Sequence, residues 1–286
     1  MTDWPVGLST GCFFQMSIFD VLEDIRNGGF SLIEICSFPK HLDYHDTNKV
    51  KAAAQKIREL GMQPFSFHAP FADDIDITSL DDRQRDYSVN EILKAAEAAV
   101  NIGAMHFVIH PGPEKEEKPP TEEHFQRMKY AAHALNRVVE YCKQHKTMII
   151  LENMLPHLLF GSTSDLLWIM GALKEVTNVG ICLDTGHANL SGDLYNVMYK
   201  MMGHLQMLHA ADNRGTHDDH FPPGKGHIDW KKLLWQLNET GFRGGIIMEL
   251  AGENVTATEG ILHDARQART FLQDITRDIE VTHANA

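Results

Sequence analysis

The strongest limit on what this chain can fold into is an alternation. Apolar, β-branched runs of strand length recur at 6–10, 31–38, 64–70, 105–111, 147–154, 179–187, 205–212 and 245–252. Helical patterns such as NKVKAAAQKIRELG and DWKKLLWQLNETG separate them. Runs that are apolar on both faces suit strands covered on both sides, as in a parallel sheet beneath helices. About eight strand–helix units without a break predict one α/β domain, a single (β/α)8 TIM barrel over residues 1–286, with 277–286 as a frayed tail. A doubly wound open sheet is the alternative, but no Gly-x-Gly-x-x-Gly follows the first run. Gly103 and Gly241 stand where periodic helices end, and Asp229 stands where one begins.

Composition narrows the classes of function. The chain is 43% hydrophobic and 23% charged, enough for a core and against long disorder. Its formal net charge of −13 repels polyanions, so an extended nucleic-acid surface is not expected. Cys12, Cys36, Cys142 and Cys182 form no C-x-x-C pair, which points to free thiols in a reducing, cytoplasmic setting. The opening residues lack the pattern of a signal peptide, and no apolar run reaches membrane-spanning length.

The ends of the strands carry the chemistry. His68, His110, Glu152, Asp184 (with His187 just beyond), His209 and Glu249 close six consecutive apolar runs. In a barrel these positions face the C-terminal rim, where catalytic groups converge. A lone histidine at a strand end is usually structural, but six polar ends in a row are hard to assign to chance. Glu152, Asp184 and Glu249 would repel one another at high desolvation cost unless a cation neutralised them. Beyond the seventh run, His209–Trp230 concentrates Asp212, His217, Asp218, Asp219 and His220, a candidate metal or catalytic loop whose bland alternative is a solvated acidic turn. Glu34, at the end of LIEIC, reads as a substrate-facing carboxylate or a rim salt bridge. Arg214 reads as a substrate anchor or a loop-stabilising arginine.

The runs FHAPF, VIHPG, LENM, LDTGHANL and MELAG, in that order, resemble the xylose isomerase-like TIM-barrel superfamily of sugar isomerases, epimerases and endonuclease IV relatives. The resemblance implies a principal metal on Glu152, Asp184, His209 and Glu249, with Mn²⁺ favoured and Mg²⁺, Co²⁺ or Zn²⁺ as alternatives. It implies a second site on His68 and His110 with Glu152 bridging, and a third on His187, Asp218 and His220. With up to three ions, zinc would suit these imidazole-rich sets. The alternative role for the added histidines is hydrogen bonding to sugar hydroxyls. Function is accordingly expected to be metal-dependent isomerisation or epimerisation of a small carbohydrate through an enediolate, with Glu152 and Glu249 moving the proton. Cleavage of abasic DNA by a multi-zinc cluster is the alternative, and a non-catalytic metal- or sugar-binding barrel is a third. The resemblance also implies a homo-oligomer, while His217 and Asp219 read as loop solvation.

Overall fold

The eight apolar runs become eight parallel strands in a computed structural model that describes residues 4–72, 74–114, 119–251 and 258–284. They are β1 (Val6–Ser9), β2 (Leu32–Cys36), β3 (Gln63–His68), β4 (His106–Ile109), β5 (Met148–Glu152), β6 (Val179–Asp184), β7 (Leu205–Ala210) and β8 (Gly245–Met248). The strands close in sequence order, and β8 returns to β1 through Val6↔Ile246, Gly7↔Ile247 and Leu8↔Met248. The expected (β/α)8 barrel is therefore the fold. Trp4 Nε1 donates to Phe242 O at 3.0 Å, tying the start of the chain to the approach to β8.

Local chemistry sets the helix ends. Asp229 accepts from Lys232 N and caps the helix Trp230–Glu239, as its position predicts. Gly103 ends the helix Asp82–Ile102 at φ 87°, a left-handed conformation that costs glycine little. Thr121 opens the helix Thr121–Gln144 as its first residue, after Pro120. No helix among the described residues is long and apolar enough to cross a membrane.

The barrel interior is layered. Leu32, Phe65, Val108, Ile150, Cys182, Met207 and Ile247 form a buried cluster apart from the larger core under the helices. Each of β2 to β8 supplies one member, so the cluster is a ring that plugs the barrel. At β1 the matching residue is Gly7, where an added Cβ would lie 2.7 Å from Ile247 Cδ1. Side chains alternate along a strand, so the next inward level lies two residues further on. That level is Ser9, Glu34, His110, Glu152, Asp184, His209 and Glu249. β3 departs from this spacing because its register against β2 shifts between Ile33 and Glu34, bringing in Ser66 and His68.

Several sequence expectations change. Glu34 is not at the end of β2 but at its middle, fully buried, because the strand continues to Cys36. The sixth run stops at Asp184, whose side chain accepts from His187 N at 2.6 Å and starts the helix Thr185–Leu190. The expected tail is instead helical through Ala284, since the apolar stripe of the last helix continues to buried Ile279. Gly252 of the eighth run, residues 115–118 of the acidic EKEEK segment and residues 285–286 lie outside the described residues.

Candidate metal centre

Five histidines converge above the apolar plug, and each has one ring nitrogen close to an oxygen other than those the histidines share. His68 Nδ1 donates to Ala69 O at 2.8 Å, His187 Nδ1 to Asn153 O at 2.8 Å and His220 Nδ1 to Glu249 O at 3.2 Å. A carbonyl only accepts, so these nitrogens carry the hydrogen and fix the tautomer. His110 Nδ1 lies 2.9 Å from Glu114 Oε1. His209 is turned the other way, with Nε2 3.0 Å from Glu34 Oε2. Glu34 also accepts from Ser9 Oγ at 3.0 Å and Ser66 Oγ at 2.8 Å.

The remaining nitrogens all point at carboxylates. His68 Nε2, His110 Nε2 and His209 Nδ1 stand 3.2, 3.3 and 3.2 Å from one oxygen, Glu152 Oε2. His187 Nε2 and His220 Nε2 stand 3.3 and 3.1 Å from Asp218 Oδ2. Lone pairs gathered this closely repel unless protons or a cation lie between them. Two donors bound at about 2.0–2.1 Å around a tetrahedral ion stand roughly 3.3 Å apart, so the spacing fits a shared metal. Asp184 Oδ2 and His209 Nδ1 are buried and make no hydrogen bond. Four donor groups have ligand atoms within 4.8 Å of one another. They are Glu152–Asp184–His209–Glu249, His68–His110–Glu152, His68–His209–Glu249 and His187–Asp218–His220.

Electrostatics agree with the geometry. Burial alone would raise the Glu152 pKa, yet the His209 and His110 imidazoles hold it well below the usual carboxylate range. Glu34 is likewise drawn down to about 2 by His209 against burial. Glu249 moves the other way, to about 7, through burial and the neighbouring Glu34 and Glu152 carboxylates, with His209 opposing. Burial favours neutral imidazole, but the carboxylates overcome it and lift His110 to about 10 and His220 to about 9. In chemical terms, protons on imidazole occupy the role that a divalent cation would take.

The loop beyond β7 is organised by Asp212. Its carboxylate accepts from Gly224 N (3.0 Å), Ile228 N (3.1 Å) and Trp230 Nε1 (2.9 Å), and its backbone pairs with Phe221. This framework holds Asp218 and His220 over the barrel. Asp212 is thus a buried scaffold residue, although composition alone set it among the candidate donors. His217 and Arg214 are exposed, and Asp219 accepts from Arg214 N at 3.3 Å. Arg214 packs over Phe221 at 4.8 Å and does not line the cavity, so it is not brought to the other site residues.

Sequence reasoning missed Asn153, Glu114 and the serines that hold Glu34. Asn153 Oδ1 accepts from Asp184 N at 2.8 Å, and its Nδ2 donates to Asp184 O at 3.1 Å. Its place beside Glu152 in LENM was a usable signal. Glu114 had none, since its role depends on how the chain leaves β4.

The profile of the xylose isomerase-like TIM barrel family matches residues 22–275. An uncharacterized protein of Methanocaldococcus jannaschii is 29% identical over 254 residues, covering 86% of this chain and 84% of the relative. A probable endonuclease 4 of Mycoplasmoides gallisepticum is 26% identical over 204 residues, covering 66% of this chain and 64% of its own length. Among solved structures, a D-tagatose 3-epimerase-like protein matches with a TM-score of 0.82 and 25% identity, over 97% of this chain and 99% of that one. The chain belongs to the xylose isomerase-like TIM barrel family.

Proposed function

We propose that this protein is a divalent-metal-dependent epimerase or isomerase of a small carbohydrate hydroxy-ketone. The observation that carries the reading is the grouping of Glu152, Asp184, His209 and Glu249, whose donor atoms lie within 4.8 Å of one another, with Glu152 and Glu249 lining the cavity above. Three carboxylates and one imidazole suit Mn²⁺. An ion held there would polarise a substrate carbonyl and offset the charge of the enediolate formed when the adjacent carbon loses a proton.

The protein's own part is proton transfer. Glu152 and Glu249 stand 3.2 and 3.5 Å from His209 Nδ1 and reach the cavity floor from β5 and from beyond β8. One carboxylate takes the proton from one face of the substrate, and the other, protonated beforehand, returns one to the opposite face. Return to the same carbon gives the epimer, and return to the neighbouring carbon gives the isomer. The D-tagatose 3-epimerase-like neighbour supports a neutral sugar as substrate. The test is to incubate Mn²⁺-loaded protein with neutral ketopentoses and ketohexoses and separate the epimers by chromatography. Conversion is expected, and it should be lost with chelator and in Glu152→Gln and Glu249→Gln. Full activity of either variant with metal bound would contradict the reading.

A second reading is supported by the groups His68–His110–Glu152 and His187–Asp218–His220 beside the principal one, and by the endonuclease 4 relative. Three ions, one on each of these groups, would suit phosphodiester cleavage. Against it, the described cavity lining contains no Lys or Arg, and the net charge is −13. Chelator-sensitive nicking of an abasic duplex, without ketose conversion, would put this reading in place of the first.

A further inference from the structure

The cavity above the metal ligands is two-sided, and the proposed proton transfer uses only one side. Its volume is about 720 Å³. Histidines and carboxylates carried at or beyond the ends of β3 to β8, from His68 to Glu249, line one side, and the loops after β1, β2 and β3 line the other with mostly apolar groups beside Gln15. Phe14, Phe38 and Phe71 form a continuous aromatic wall, with ring centroids 5.2 Å apart at each step. Phe71 in turn lies 5.1 Å from the His68 ring and 5.2 Å from that of His110. The wall therefore runs from the rim to the ligand histidines.

Among the described residues, the outer end of this wall is left exposed. Phe14 and Met16 remain 41% and 38% exposed, although apolar side chains of this size usually gain by burial. A phosphate at this end of a ligand would meet no Lys or Arg among the described lining residues. A string of hydroxyls would lose water against rings that offer no hydrogen bonds. An apolar group would stack on the rings and remove their exposed area from water. A volume of this size lies within the range of roughly 300–1,000 Å³ typical of sites for drug-sized ligands, beyond what a bare monosaccharide fills.

We infer that the substrate is an uncharged hydroxy-ketone sugar bearing an aryl or similar apolar substituent remote from the reacting carbons, seated on Phe14, Phe38 and Phe71. The inference rests on the metal-centred reading above. Three probes with the same reacting atoms isolate it: D-fructose, 6-O-benzyl-D-fructose and D-fructose 6-phosphate. Deuterium uptake from D2O next to the carbonyl is followed by NMR with the metal-loaded protein. The benzyl ether is expected to exceed D-fructose in kcat/KM by at least about tenfold, with the phosphate below both. Phe38→Ala should collapse that preference, and Phe14→Ala, at the exposed end of the wall, provides the same readout if Phe38→Ala does not fold. Equal or better exchange of D-fructose or the phosphate would overturn the inference. If no ketose exchanges, the proton-transfer reading falls separately, and the wall is judged by calorimetry. Tenfold tighter binding of the benzyl ether, lost in the Phe variants, would uphold it; equal affinities or no binding would overturn it.

Discussion

Two rings of side chains inside the barrel sit two residues apart on the same strands and do opposite things. Ile150, Cys182 and Met207 belong to the lower ring, and Glu152, Asp184 and His209 stand directly above them. The lower ring gains from removing apolar area from water, about 25 cal/mol per Å². The upper ring gathers like charges in a buried space and opposes folding unless neutralised. Fold and chemistry are thus separated by one period of the strand. Substitutions in the two rings should separate stability from metal binding.

The largest effect is expected at Glu152, whose Oε2 faces three imidazoles. Glu152→Gln should lower kcat/KM for ketose epimerisation by roughly 10²–10⁴-fold. Without metal the variant should also melt lower at neutral pH, because the protonated His209 and His110 hold the Glu152 carboxylate below its usual pKa and would lose their counter-charge. An unchanged melt would show that those imidazoles are neutral. Ile150→Ala is the counterpart one level down. It should cost about 2–5 kcal/mol in denaturant unfolding while metal stoichiometry stays unchanged. Unaltered stability would remove the lower ring from the account.

A smaller effect sharpens the upper ring's dependence on its supports. Asp212→Asn turns an acceptor of four hydrogen bonds, among them Trp230 Nε1, into a mixed group that cannot satisfy them all. Zinc affinity at His187, Asp218 and His220 should drop about 10–100-fold, read by competition with a chromophoric chelator. Affinity within twofold of the parent would show that the loop is held by other contacts.

Protons provide a further test. Without metal, His110 and His220, lifted to about 10 and about 9, retain their protons through neutral pH. Metal binding must displace these protons, so affinity should rise as pH increases towards those values and fall in acid. Calorimetry in buffers of different ionisation enthalpy should give buffer-dependent heats. Heats independent of the buffer would contradict the protonated site. The smallest expected change is at Asp184, where burial, with Glu152 and Asp218 nearby, pushes the carboxyl pKa up. Asp184→Asn should stabilise the chelated protein by about 1 kcal/mol in denaturant melts, and destabilisation would show that the carboxylate is needed for folding.

Much of this division is legible in the sequence. The two-residue step from Ile150 to Glu152 or from Met207 to His209 is a strand period, and it announces both rings once the runs are recognised as strands. Glu34 escaped correct placement because LIEIC does not reveal where a strand leaves the barrel; only the pairing of Cys36 with His68 does. Asp212 was misjudged because a donor-rich loop has the same composition whether a carboxylate binds metal or backbone amides. The aromatic wall was invisible for a similar reason. Phe14, Phe38 and Phe71 follow three different strands, and no local period links them. The last helix was cut short because VTHANA is polar, while the packing of Ile279 is tertiary.

The most direct test of the central claim is deuterium incorporation beside the carbonyl of a neutral ketose in D2O. It should be followed with metal-loaded, chelated and Glu152→Gln protein. The account predicts exchange with the metal-loaded protein, its loss on chelation, its return on adding Mn²⁺ and its absence in the variant. Exchange that survives chelation, or that Glu152→Gln supports at the parent rate, would contradict it.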